Sequence, residues 1–444
     1  MKPALLKLAT ALALATALAA TAQSPDAAFQ KFWAADSPAA AARAAADIEK
    51  SKITFDDALR RLKAGRAYAA QKTGVVQAKN RTSDNIEHFY SVNVPATYDP
   101  AKKYQVRFQL HGGVGGRTDN QPRGTGEIGQ LAGDTEQIYV LPYAWDTAGW
   151  WSDDQVLNLA AIVDSLKRTY NVDENRVVVS GVSDGGTGAY WVAMRDTTPY
   201  ASFLPLNGFI MVLGNDELDD GKVYPGNLRN KPLFVINGGK DRLYPTSIVE
   251  PYTRYFLRSG VDIEYHPQPE GEHNTRWWPE MKGPFETFVT AHPRDPHPAR
   301  LTWEASDAAH ARAHWLVIDQ FGTISGERAS LDLNKGDLNK GDLNKGDLNT
   351  GPDGQLFARP KPSGRVDLVR KGNTVEANTQ SVTAFTLLLS PDVFDFAQPI
   401  RVLANGRQVY NARVQPDLKT LLKWAAKDND RSMLYGAEVK ISLK

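Results

Sequence analysis

Arg176-Val-Val-Val-Ser-Gly-Val-Ser-Asp-Gly-Gly-Thr-Gly-Ala-Tyr190 is the stretch on which the fold turns. A β-branched run, Val177 to Val179, leads into Gly181-Val182-Ser183-Asp184-Gly185, and a small-residue helical pattern follows. This is G-x-S-x-G in a strand–turn–helix setting. So sharp a turn forces its central residue into a strained backbone. Glycines two before and two after it leave room for strand and helix to pass closely. The serine hydroxyl then stands at the carboxyl end of a strand and beside the amino end of a helix. A nucleophile and a developing oxyanion can be served together there. The bare motif is weak, and a plain β-to-α turn with an incidental serine is the competing reading.

Around this stretch strands and helices alternate. His88 to Val94, Tyr104 to Leu110, Gln137 to Leu141, Val177 to Ser180, Pro232 to Asn237 and Val261 to His266 read as strands, and Phe209 to Leu213 as a further short one. Helical spacing covers Asp154 to Tyr170, Thr246 to Arg258 and Glu280 to Thr290. The alternation predicts an α/β fold, a mainly parallel sheet with helices on both faces, over residues 85–292.

Two amphipathic helices, Ala39 to Ile48 and Phe55 to Ala70, are expected before it, within an N-terminal segment 23–84. They could form a lid over a site or, as the favoured reading, an N-terminal brace. Pro293 to Pro298 reads as a linker, and 299–444 as a β-rich, sandwich-like accessory domain with one helix at Leu418 to Ala426. Leu301 to Glu304, His314 to Asp319, Ser381 to Leu389, Ile400 to Leu403 and Ala437 to Leu443 are its strands, and Asn405-Gly406 marks a hairpin. Within it a Gly-Asp-Leu-Asn-Lys pentad repeats over 331–350. One coil of a β-helix could not bury its own core, and a calcium loop would need its bidentate glutamate, so a duplicated surface hairpin or loop is favoured.

The 444 residues are enough for two domains, and a net charge of +1 provides no field to attract nucleic acid or an anionic membrane. Lys2 and Lys7, the apolar run Leu8 to Ala20 and the small-x-small site Ala20-Thr21-Ala22 read as a signal peptide over 1–22. The run is short for a retained anchor, and no second run approaches a spanning length, so an exported, periplasmic or secreted protein is expected. The chain has no cysteine, which excludes disulfides, a cysteine nucleophile and thiolate metal sites.

A serine hydroxyl needs a base. After such an elbow the partners follow in the order serine, acid, histidine. Asp241, in Asn237-Gly-Gly-Lys-Asp241, lies just past the strand Pro232 to Asn237. His273, in Glu270-Gly-Glu-His-Asn274, lies in the loop after Val261 to His266. Three loops thus deliver Ser183, Asp241 and His273 to one rim of one sheet. Asp216, Glu217, Asp219 and Asp220 are alternative acids, and His266 an alternative base. An oxyanion hole needs two backbone amides. They are assigned to Asp184, directly after the nucleophile, and to Gly113 in the loop His111-Gly-Gly-Val-Gly-Gly116. Trp145, Trp150, Trp151, Trp277 and Trp278 fall in loops near the rim. They could wall a substrate pocket, with Trp150, Trp151 and Trp277 as the substrate-binding candidates, or simply pack the loops.

With these residues in place the chain resembles the α/β-hydrolase superfamily. Within it the chain is similar to secreted esterases related to polyhydroxybutyrate depolymerases and feruloyl esterases. The carrying residues are His111-Gly-Gly113, Val172-Asp-Glu-Asn-Arg176, Gly181-Val-Ser-Asp-Gly-Gly186, Asp241 and His273. The resemblance implies a serine hydrolase with no cofactor and no metal, acting on a small-molecule or polymer ester. The C-terminal domain is a candidate for carbohydrate or polymer contact. Prolyl-oligopeptidase-like peptidases share the triad order but carry a large propeller before the catalytic domain. A non-catalytic binding protein on the same scaffold is the rival class.

Overall fold

In the computed structural model, residues 24–82, 85–118, 137–214, 223–322 and 362–443 are described. The expected signal peptide, the pentad repeat and the alternative acids Asp216 to Asp220 lie outside them. Among the described residues no helix is long and apolar enough to cross a membrane.

Among the described residues between 74 and 268 one eight-stranded sheet is the organising element. Its strands are β1 (Gly74–Arg81), β2 (Glu87–Val94), β3 (Tyr104–Leu110), β4 (Gln137–Pro142), β5 (Val172–Val182), β6 (Ser202–Leu206), β7 (Leu233–Gly238) and β8 (Ile263–Gln268). Their spatial order is β1-β2-β4-β3-β5-β6-β7-β8. Strands β3 to β8 are parallel, and β2 alone runs against its neighbours. The period of two along the strands sorts residues between two cores. Val177, Val179, Phe203, Leu233 and Val235 belong to the core that also takes residues of α4 (Asp153–Thr169), α5 (Asp184–Arg195) and α6 (Thr246–Arg258). Val178, Leu204, Leu206, Phe234 and Ile236 turn to the opposite face, where α7 (Trp278–Ala291) covers them with Met281, Phe285, Phe288 and Val289. Both faces of the central strands are therefore apolar, as a sheet buried on two sides requires.

The sixth strand corrects the sequence reading. Phe209 to Leu213 is not a strand. Ile210–Gly214 forms a 3-10 turn, and the strand is Ser202–Leu206. Pro205 inside it reads as a breaker. It is accommodated because the recorded pairs between β6 and β7 are Phe203 with Leu233 and Leu206 with Ile236, leaving Pro205 out of that ladder. Asn207 then adopts φ +48°, and Gly208 packs directly on the backbone of Gly186 in α5. The chain must turn there, before Phe209.

Before the sheet lie three helices rather than two: α1 (Pro25–Ala34), α2 (Pro38–Lys50) and α3 (Phe55–Ala64). Each is capped by a side-chain oxygen, Ser24, Ser37 or Thr54, that accepts the N–H of the residue three on. Helix α3 stops short of the expected Ala70 because Gly65 takes φ +77°, against the side chain of Arg431. Phe29, Phe32, Ile48 and Leu62 from these helices share a core with Leu421, Leu422 and Leu434 of the C-terminal region. The arrangement is that of a brace.

The described residues between 300 and 442 form two further sheets around one core. The strands are β9 (Arg300–Ala305), β10 (Arg312–Ala313), β11 (Leu316–Phe321), β12 (Gly364–Lys371), β13 (Thr374–Gln380), β14 (Val382–Leu389), β15 (Ile400–Ala404), β16 (Arg407–Ala412) and β17 (Ala437–Ser442), with α8 (Leu418–Asp428) before the last. One sheet runs β10-β11-β14-β17 and the other β16-β15-β13-β12-β9. Trp303, Trp315, Phe385 and Val402 lie in the core they share. Asn405-Gly406 makes the β15–β16 hairpin, with both residues at positive φ.

Candidate active site

The strand–helix junction forces Ser183 to φ +59°, ψ −119°, a region costly for a side chain other than glycine. Close packing leaves no alternative. A Cβ on Gly181 would collide with the carbonyl of Gly185, and one on Gly185 with the carbonyl of Leu110. The N–H of Ser183 is bound to the carbonyl of Leu206 at 2.9 Å. The hydroxyl is thereby held beyond the end of β5.

Asp241 and His273 reach it from the loops after β7 and β8. Beyond β7 the chain passes through Gly238 and Gly239, which lie so tightly on the backbone of Gly271 and Pro269 that a side chain at either would collide. The acid loop and the histidine loop are thus packed backbone to backbone. Oδ2 of Asp241 lies 2.6 Å from Nδ1 of His273, and Nε2 of His273 lies 2.8 Å from Oγ of Ser183. Asp241 is buried, and its other oxygen accepts the N–H groups of Leu243 at 2.7 Å and Tyr244 at 3.0 Å. An ionised carboxylate only accepts, so Nδ1 carries the imidazole proton and Nε2 is free to accept the serine proton. The carbonyl of Asn274, the residue after His273, accepts Nδ2 of the fully buried Asn207 at 2.8 Å. His266 has no part in this arrangement. It sits in β8 against the ring of Phe234, with Nε2 2.7 Å from Glu264.

The glycine-rich loop stands on the other side of Ser183. Gly113 takes a left-handed conformation, φ +67° and ψ +41°. A Cβ on Gly112 would come within 2.9 Å of the Cβ of Ser183 and 3.0 Å of the carbonyl of Val182. Nε2 of His111 accepts the N–H of Ala144 at 3.0 Å, so Nδ1 is protonated and donates to the Gly112 carbonyl at 2.9 Å. Burial pulls its pKa down to about 4, which keeps the ring neutral in this role. The Asp184 carboxylate accepts the N–H of Val114 at 2.7 Å. The variable position of the elbow motif thus ties the loop to the head of α5. Such a partnership 70 residues apart has no signature in the sequence.

The tryptophan reading is corrected in part. Trp150 is fully buried, and its indole N–H donates to the His111 carbonyl at 2.8 Å, so it supports the loop from beneath. Trp277, 6% exposed, packs with Leu206, Ile236 and Met281 in the core under α7. Trp150 is closed off from any ligand, whereas Trp277 also borders a surface cavity with Gln268, Glu272 and Arg276. Trp151 is half-buried at the edge of the main core. An aromatic pair that sequence reading missed stands at the site instead. Tyr244 packs edge-to-face on the ring of His273, 5.7 Å between centroids, and 6.0 Å from Phe209.

Gly112→Ala is expected to lower kcat for ester substrates at least tenfold while the melting temperature changes little. The added methyl pushes the loop off Ser183 but is not enclosed by core. Parallel turnover and thermal melts check this.

The sheet order, the strained elbow on β5 and the flanking helices define an α/β-hydrolase fold. No protein-family model matches the chain. It is similar to a bifunctional acetylxylan esterase/xylanase of Neocallimastix patriciarum, 28% identical over 151 residues, which are 34% of this chain and 20% of that protein. It is also similar to the probable feruloyl esterase C of Aspergillus terreus, 26% identical over 159 residues, covering 34% of this chain and 57% of the other. The chain thus spans a fifth to just over half the length of these curated relatives. Among solved structures it is similar to a thermostable esterase, with a TM-score of 0.39 and 18% identity over 50% of this chain and 63% of that one.

Proposed function

We propose that the chain is a secreted serine hydrolase that cleaves carboxylic esters through an acyl-enzyme. The observation that carries the reading is the relay Asp241–His273–Ser183, at 2.6 and 2.8 Å, on a serine held in a strained turn. His273 takes the Ser183 proton as Oγ attacks the ester carbonyl carbon. The tetrahedral oxyanion is received by the amides of Gly113 and Asp184. Collapse of this intermediate expels the alcohol, with its oxygen protonated by Nε2 of His273. Water then attacks the acyl-enzyme, deprotonated by the same imidazole, and the acid leaves. Asp241 holds the useful tautomer and stabilises the imidazolium throughout. The oxyanion donors matter because one of them is worth about 2.7–4 kcal/mol in the transition state.

The esterase names of the two curated relatives support an ester over an amide. The direct test is turnover of 4-nitrophenyl butyrate against an aminoacyl 4-nitroanilide. Ester hydrolysis with little anilide hydrolysis is the expected result. Faster anilide cleavage would make the chain a peptidase, and no turnover of either would leave a binding protein.

A further inference from the structure

We propose that Tyr244 orients the leaving alcohol of the substrate and selects for alcohols that carry a hydrogen-bond acceptor, an inference that rests on the ester-hydrolase reading above. The loop Asp241-Arg-Leu-Tyr-Pro245 does two things at once. Its first residue holds His273, and its fourth packs edge-to-face with the same imidazole, the ring planes at 75°. The position of Tyr244 is fixed by the triad acid itself, because Oδ1 of Asp241 accepts its backbone N–H. The ring is buttressed by Phe209, which packs in turn on Tyr252 of α6 at 5.4 Å.

The phenol has no hydrogen-bond partner among the described residues, although the side chain is half-buried. Burial, with the nearby carboxylates of Asp184 and Asp241, pushes its pKa up, so it stays a donor across the working range of pH. One of those carboxylates belongs to the elbow and the other to the acid loop.

Reaction geometry says which half of the ester it meets. Nε2 of His273 must hand its proton to the leaving oxygen, so the departing alcohol passes along the imidazole. A ring packed on that imidazole borders the alcohol and not the acyl group. Beside it Leu243 is 57% exposed, a large apolar side chain offered to solvent at the edge of the site. A donor without a partner next to an apolar surface suits an alcohol with both carbon and acceptor oxygens, such as a polyol.

Glyceryl monoacetate and butyl acetate share one acyl group and differ in the alcohol. In Tyr244→Phe the ratio of kcat/KM for the glyceryl over the butyl ester should fall about fivefold, the effect of one neutral hydrogen bond. Breakdown of the acetyl-enzyme should keep its wild-type rate, because the alcohol has already left. An unchanged ratio, or a slower breakdown of the acetyl-enzyme, would overturn the assignment. Labelling of Ser183 by a fluorophosphonate separates the two levels of the claim. Normal labelling with an unchanged ratio removes the role of Tyr244 alone. Wild-type protein that fails to label removes the ester-hydrolase reading and this inference with it.

Discussion

Ser183→Ala is expected to lower kcat for 4-nitrophenyl acetate by a factor on the order of 10⁶, down to the small residue that binding and the oxyanion amides sustain unaided. The size follows from the relay. With Oγ removed, Nε2 of His273 loses the group 2.8 Å away that it would deprotonate. His273→Ala should cost about as much, and the double variant little more than either, because the two act as one unit. Asp241→Asn should cost on the order of 10⁴, since an amide facing Nδ1 favours the wrong imidazole tautomer. Stopped assays at equal concentrations check all four proteins. Additive losses in the double variant would mean that Ser183 and His273 do not share a step.

The largest stability effect is expected at the opposite side of the molecule, at Asp430. Its carboxylate is fully buried, with Nη2 of Arg294 at 2.8 Å and Nζ of Lys167 at 3.1 Å, both buried as well. Ser432 adds its hydroxyl at 2.8 Å and its N–H at 3.0 Å. Next in sequence, Arg431 meets Glu174 and the carbonyl of Val172, both at 2.5 Å. The segment after α8 therefore rivets the C-terminal sheets to α4, to the start of β5 and to the segment read as a linker. Asp430→Ala leaves two cations buried without their counter-charge, a loss of about 3–5 kcal/mol. A melting temperature lower by about 5–10 °C is the expected reading, and an unchanged one would deny the rivet its role.

The same group sets a pH limit. Burial alone would raise its pKa, but the charges of Arg294 and Lys167 hold it well below the ordinary carboxylate range. A depressed folded-state pKa stabilises the fold above the unfolded value, about 3.9, and that contribution is lost as pH falls further. Melts of the wild type should therefore fall steeply below about pH 4, and those of Asp430→Ala less steeply.

What the sequence disclosed follows from where the signal is local. Tyr104–Leu110 and Thr246–Arg258 lie at the bounds their spacing predicts, because each turns an unbroken apolar period to the main core. Strand β1 is not legible in the sequence because Gln77, Lys79 and Asn80 occupy an edge that needs little apolar surface. Strand β12 is disguised by charge. Asp367 bonds to Thr302 and Arg365, and those partners make a polar strand tolerable only after folding. At the site, residue types and chain order point to Ser183, Asp241 and His273, and their side chains are hydrogen-bonded in series. Trp150 differs from the substrate-wall reading because a loop tryptophan beside a rim and one beneath it look alike in sequence. Tyr244 and Asn207 carry no signal in the sequence because each meets its partner only in the tertiary structure.

The account depends most on Ser183 being a nucleophile activated by His273. Reaction with a fluorophosphonate followed by peptide mapping tests that directly. One adduct on the peptide containing Ser183, lost in His273→Ala while that variant keeps its fold, is the predicted result. No adduct, or an adduct on another residue, would contradict it.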